Sequence, residues 1–169
     1  MTELTEFRKA KGDFMARDHD SPLTDDQRAA FSGLSYFGEN PDLRFELDVR
    51  EFDTRDVVEM QTSTGDVASY LRWGKIAFDV EGQPAELTLY REPHSGEVFL
   101  PFADATSGTE TYGSGRYLDT HELPNGKVLV DFNYTYNPYC AYNEQWSCPL
   151  TPFENRLLVP IRAGEKSFK

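Results

Sequence analysis

Basic residues are scarce in this chain. Lys and Arg number 17 against 29 Asp and Glu, which leaves a net charge of −12, and only six of the 17 are Lys. Nucleic acids and anionic membranes attract proteins through Lys and Arg, so a field of this sign repels both. Histidine is scarce too: three in 169 residues, none in an HExxH arrangement, which removes the usual metalloprotease reading. The two cysteines have no second pair beside them, and a Cys-based zinc site needs four ligands. No apolar run reaches the length of a membrane span, and the opening MTELTEFRKAKGDFMARDHD lacks the apolar centre of a secretory signal. The protein expected from these absences is soluble and cytoplasmic, and its cysteines are expected to be reduced.

What the chain does have is aromatic bulk. Apolar residues make up 38% of it, yet Phe, Trp and Tyr reach 14%, so the expected core is built from few, large side chains. A chain of 169 residues buries enough surface to stand without staples, and a single domain over 1–169 is expected. The acidic residues are dispersed, not gathered in a tail. Salt screens such self-repulsion, so the composition suits a salt-rich, halophilic cytoplasm.

Periodicity divides the chain near residue 40. Leu4, Phe7, Lys11, Phe14 and Met15 recur at three- and four-residue spacing and predict a helix, weakened at Gly12. SPLTDDQRAAF predicts a second helix, with Thr24 as N-cap and Asp25 and Asp26 in the first turn. From Leu43 the period falls to two, and Leu43, Phe45, Leu47 and Val49 share one face of a half-buried strand. Turn signals then alternate with strand patterns: STGD between VVEMQT and VASYLRW, WGK before IAFDV, EGQP before AELTLYRE, HSGE before VFLPF. RYLDTHEL, PNG and KVLVDFNY predict another hairpin, and NRLLVPIRA a last strand, at an edge because of Pro160. Closely spaced hairpins argue for an antiparallel meander, not βαβ units. The expected fold is mainly β (α+β). A helical segment over 1–40 precedes an antiparallel body over 41–169, which forms a barrel or half-open barrel that hides its edges. A two-sheet β-sandwich is the alternative.

Two stretches break the strand pattern: PFADATSGTETYGSGRYLD, from Pro101 to Asp119, and DFNYTYNPYCAYNEQWSCPL, from Asp131 to Leu150, running on through TPFEN. Long loops on a small β scaffold tend to carry function. Gly108 and Gly113 are spaced as in a phosphate loop, but Ser114 stands where Lys is required, so a Walker site is excluded and no cofactor is called for. Ser107 lies in no GxSxG elbow. FADATSGTETYGSGRYLD, DFNYTYNPYCAYN, CPLTPFEN and IRAGEK, in this order across Phe99 to Lys166, resemble the signature segments of the family called domain of unknown function 1684, a set of uncharacterised bacterial and archaeal proteins. The resemblance brings no activity or substrate. It implies that these segments form either the site or the structural heart of the fold.

The residues offer several chemistries. Seven residues separate Cys140 from Cys148. They are either buried thiols or a local disulfide, worth about 2–3 kcal/mol in the chain-entropy model. Cys140 with His121 as base is the nucleophilic variant. Arg116 either clamps an anionic group beside the glycine-rich turn or pairs with Asp104, Asp119 or Asp131. Asp104, Asp119, Asp131 and Glu154 are the carboxylates available for hydrolysis or for a hard cation, or else they cap turns and pair with arginines; no EF-hand spacing is present and no metal site is expected. The resulting expectation is a binder of a small molecule, with an anionic group for Arg116, in a pocket between segments 101–119 and 131–155. Tyr112, Asn133, Tyr136, Asn137, Tyr139 and Asn143 would supply its ring walls and polar tips. A hydrolase using Asp131, Cys140 or Asp119 in the same pocket, and an interaction module without a ligand, are the alternatives. The oligomeric state is left open.

Overall fold

The computed structural model describes residues 2–169. Two helices open it, α1 (Glu3–Arg17) and α2 (Asp25–Ala30). Each begins where the sequence supplies a cap. Thr2 Oγ1 accepts from Thr5 N–H, and Thr24 with Gln27 forms a reciprocal capping box. Glu3 and Glu6, then Asp25 and Asp26, fill the two first turns, where the helix dipole favours negative charge. α1 buries Leu4 and Met15, whereas α2 buries nothing and depends on its caps and neighbours.

The body has nine strands: β1 (Arg44–Leu47), β2 (Arg50–Glu51), β3 (Val57–Gln61), β4 (Val67–Val80), β5 (Gln83–Arg91), β6 (Val98–Phe102), β7 (Arg116–Leu118), β8 (His121–Glu122) and β9 (Val128–Asp131). They make two antiparallel sheets. The larger has the order β2-β4-β5-β6-β7, with β3 also paired to β4, and the smaller has the order β1-β9-β8. The fold is therefore mainly β with few helices, and among the described residues no ladder closes either sheet into a barrel. The EGQP turn joins β4 to β5 with Glu81 and Gly82 both left-handed, at φ of 51° and 80°, which matches the twist of the paired strands.

Four expectations about elements need correcting. VASYLRW and IAFDV are one 14-residue strand, β4, with a bulge between Arg72 and Gly74. Gly74 marks a close approach, not a turn: a Cβ there would lie 2.7 Å from Val49 Cγ1 and 2.9 Å from Arg50 O. RYLDTHEL is not one strand. Its apolar half ends at Leu118, paired with Leu100 in the larger sheet, and Asp119–Thr120 carry the chain across to His121 in the smaller one. DFNYTYN does not continue β9, because the Asp131 carboxylate accepts from Asn133 N–H and caps a 3-10 turn over Phe132–Tyr134. Phe132, Tyr134 and Tyr136 thus share no strand face. NRLLVPIRA forms no strand; Ala103 makes an isolated bridge to Arg156, and the carbonyls beyond are taken by a side chain described below.

The main core lies between the sheets. Trp73, Ile76, Phe78, Leu87, Leu89, Leu100 and Phe102 come from the larger sheet, and Val128 and Val130 from the smaller. Phe132 sits at its centre, fully buried, with its ring centroid 5.3–6.2 Å from those of Phe102, Phe78 and Phe45. A separate cluster of Met15, Leu23 and Tyr142 seats the helical segment on the loop after Asn137.

Candidate functional site

The polar residues of the four signature segments divide into two groups, one internal to the fold and one open to a cleft. The internal group is the larger. Arg116 is 1% exposed, and both terminal nitrogens of its guanidinium donate to the protein. Nη2 donates to Asp104 Oδ2 at 3.1 Å and Ile161 O at 2.8 Å, and Nη1 donates to Ala163 O at 2.6 Å and Glu165 O at 3.0 Å. Arg116 therefore stands as the cross-link that holds residues 161–165 where a ladder was expected. It pairs with Asp104, not with Asp119 or Asp131, and it does not face a cleft for an anion.

Three asparagines behave the same way. Asn133 exchanges two hydrogen bonds with the Asn40 backbone, at 2.8 and 2.9 Å. Asn137 donates from its backbone to Glu165 Oε2 and from its amide to Glu165 Oε1 and Lys166 O. Asn155, wholly buried, donates to Thr88 O and Pro101 O and accepts from Thr88 N–H. Glu165 is the hub of this group: 1% exposed, it also takes Lys11 Nζ from α1 and the Tyr142 hydroxyl. Burial and then that carboxylate hold the Tyr142 phenol far above its ordinary range, so it remains a donor. Asn143 is half-buried and ties its loop to Pro22 O at 3.4 Å.

Cys140 and Cys148 are free thiols, both buried beside Tyr117. Cys140 N–H donates to Cys148 Sγ at 3.3 Å, and the Tyr112 hydroxyl lies 3.6 Å from Cys140 Sγ. Tyr139, 36% exposed, meets Trp146 edge-to-face at 5.2 Å. His121 is far along the other sheet, on β8, and lines a cleft that Cys140 does not.

That cleft is the second group. Its floor is the outer face of the smaller sheet, where the register sets Arg44 opposite Asp131 and His121 opposite Leu129. α1 covers one side with Glu3 and Phe7, and Asp119, Tyr134 and Tyr136 complete a volume of about 220 Å³. The Tyr136 hydroxyl donates to Asp119 Oδ1 at 2.8 Å, which joins the two predicted segments. Burial, reinforced by Asp119, holds the Tyr136 phenol well above its ordinary value, so it keeps its proton and donates. Phe7 packs edge-to-face on Tyr134 with centroids 5.0 Å apart. Asp131 spends Oδ1 on Asn133 N–H and Nδ2. A shallower recess lined by Arg91, Thr120 and Glu122 continues from Asp119 and His121. Three carboxylates thus face one Arg and one His, with three rings as walls.

Of the expected pocket residues, the structure brings Asp119, Asp131 and Tyr136 together here, and it places Arg116, Asn133 and Asn137 inside the fold. Tyr112 and Cys140 border a different cleft. Sequence reasoning missed Glu3, Phe7 and Arg44, whose placement depends on helix-to-sheet packing. It also missed Glu165, which its neighbours Gly164 and Lys166 made look like surface. His19 lies with Asp18 and Asp20 in an exposed group just after α1.

Fold and site together define a small mainly β protein with a polar, ring-walled cleft on the outside of its smaller sheet. The chain belongs to the family described as Protein of unknown function (DUF1684), whose model matches residues 29–166. It is also similar to an uncharacterized protein of Haloarcula marismortui solved by solution NMR, with 35% identity and a TM-score of 0.73 over 97% of this chain and 92% of that one. No curated protein matches the chain.

Proposed function

We propose that this protein binds a small molecule carrying a cationic amino group and an apolar body in the cleft between α1 and the smaller sheet. The observation that carries the reading is the Tyr136–Asp119 hydrogen bond, which sets a carboxylate and a ring from the two irregular segments side by side at an open cavity. Carboxylates beside aromatic faces favour a cation, through charge and through the ring quadrupole. This reverses the anionic group expected from the sequence, because Arg116 is engaged elsewhere. The composition adds the setting, a salt-rich interior in which the acidic surface is screened.

The test is a chemical-shift titration with matched aryl- and alkylamines and their carboxylate counterparts. Amines are expected to move the amides of Leu129, Tyr134 and Tyr136. Asp119→Asn is expected to lose most of the binding at nearly unchanged Tm, and Tyr134→Ala to lose it together with some stability, since Tyr134 packs on Phe7 and the core. Amines that bind nowhere, or only away from this cleft, would sink the reading.

A hydrolase in the same cleft is favoured by one observation, the presence of Asp119, Asp131 and His121 together on its lining. Asp131→Asn separates the two, since an enzyme loses turnover more than affinity.

A further inference from the structure

The cysteine pair lies outside that cleft and has its own opening. Cys140 lines a cavity of about 240 Å³ between the turn at Gly108–Gly113 and residues Ser167–Lys169, with Tyr112 on its wall. Cys148 lies behind it, pinned to the turn between β3 and β4: its N–H donates to Ser63 Oγ at 3.1 Å, and its carbonyl accepts from Ser63 N–H at 2.9 Å. Cys140 therefore contributes to the lining of this cavity and Cys148 does not, although both residues are buried, at 4% and 7% exposure, and Cys148 Sγ accepts from Cys140 N–H at 3.3 Å.

We propose that Cys140 and Cys148 form a redox-active dithiol in which Cys140 attacks a small hydroperoxide through this cavity and Cys148 resolves the product to a disulfide. The protonation pattern is consistent with the geometry. The hydrogen bond from the Cys148 thiol, joined by Tyr112, lowers Cys140, and the same contact raises Cys148. These shifts favour Cys140 as the thiolate partner and Cys148 as the thiol. Tyr112 is itself raised, by burial and by Cys140, and keeps a hydroxyl to offer.

The steps balance. The Cys140 thiolate takes the distal oxygen of ROOH, the O–O bond breaks, and with one proton ROH leaves and Cys140 becomes a sulfenic acid. The Cys148 thiol then attacks that sulfur, the S–O bond breaks, and water leaves as the disulfide forms. Two thiols have lost two electrons and the hydroperoxide has gained them. Two equivalents of a low-molecular-weight thiol return the pair by exchange and are themselves oxidised to a disulfide.

The experiment adds one equivalent of hydrogen peroxide to the fully reduced full-length protein, then denatures it with a maleimide and reads the intact mass. The expected product has lost two hydrogens and both alkylatable thiols, and it forms at least about tenfold faster than free cysteine is oxidised at pH 7. Cys148→Ser is expected to trap a sulfenic acid that dimedone labels, and Cys140→Ser to react no faster than free cysteine. Two thiols still alkylated in the wild type, oxygen added without a disulfide, or reaction no faster than free cysteine would each overturn the proposal. The wild-type mass alone decides it if either variant fails to fold.

Discussion

Arg116 and Asp104 form a buried ion pair at 3.1 Å, with side chains 1% and 0% exposed. Neither charge faces water, so each depends on the other and on the backbone around them. Asp104 also accepts from Ile161 N–H at 3.0 Å and from Thr106 N–H at 2.9 Å. Removing Arg116 leaves an uncompensated buried carboxylate and takes the side-chain donor from three carbonyls. Arg116→Ala is expected to lose about 3–5 kcal/mol in urea unfolding, and Arg116→Lys to recover little of it, since an ammonium cannot span the fork. An Arg116→Ala protein of wild-type stability would return Arg116 to the list of ligand contacts.

Glu154 makes a test by pH. The Arg72 guanidinium, in a two-point contact, and then the Tyr90 hydroxyl hold its carboxyl below the ordinary value against partial burial. A folded value below the unfolded one means that the stabilisation is present above about pH 4.3 and is lost as pH falls through the folded value. Wild type and Glu154→Gln should therefore differ most in stability at pH 7, with the gap narrowing as pH falls below about 4.3. A gap that stays constant across that window would assign the effect to packing.

Three glycines should separate sharply on substitution by Ala. At Gly115, with φ of +105°, a Cβ would meet Thr151 Oγ1 at 2.2 Å and Phe102 O at 2.7 Å; at Gly164, with φ of +78°, it would meet Thr135 Cβ and O at 2.6 Å. Both changes are expected to cost at least about 2 kcal/mol through strain and overpacking. Gly12, within α1, has open space where a Cβ would go. Gly12→Ala is expected to gain roughly 0.5–1 kcal/mol. Thermal unfolding of the three variants checks the order.

The net charge of −12 sets the salt dependence. Most ion pairs on the surface, such as Lys9–Asp13 and Arg50–Glu86, are exposed and weak, so self-repulsion is the larger electrostatic effect. Tm is expected to rise steadily from dilute buffer to about 1 M KCl and beyond. A Tm that is flat or falling over that range would remove the salt-rich setting.

The elements with local signals were legible in the sequence. α2 followed from Thr24 and its acidic first turn, the β4–β5 hairpin from EGQP, and the buried face of β1 from the alternation of Phe45 and Leu47. One failure was local, the Asp131 cap that ends β9, and the others came from long-range partners. Gly74 was read as a turn because nothing local shows that Val49 presses on it. The stretch Asn155–Ala163 was read as a strand because nothing local shows that Arg116, 45 residues earlier than Ile161, takes the carbonyls of Ile161 and Ala163. The site divided in the same way. Asp119 and Tyr136, singled out by their place in aromatic loops, do meet at one cleft, and of the two readings of Arg116 the structure shows the pair with Asp104, since an Arg beside glycines looks alike whether it faces a ligand or an aspartate.

The Arg116 cross-link has a consequence for how the chain reaches its native state. Its backbone acceptors lie at positions 161–165, so a chain elongating from the ribosome carries a cation with no place to go until those residues emerge. The larger sheet cannot close over it before then. Nascent chains stalled before Ile161 are expected to remain protease-sensitive, and those stalled far enough beyond Glu165 for residues 161–165 to leave the ribosome are expected to become resistant in one step.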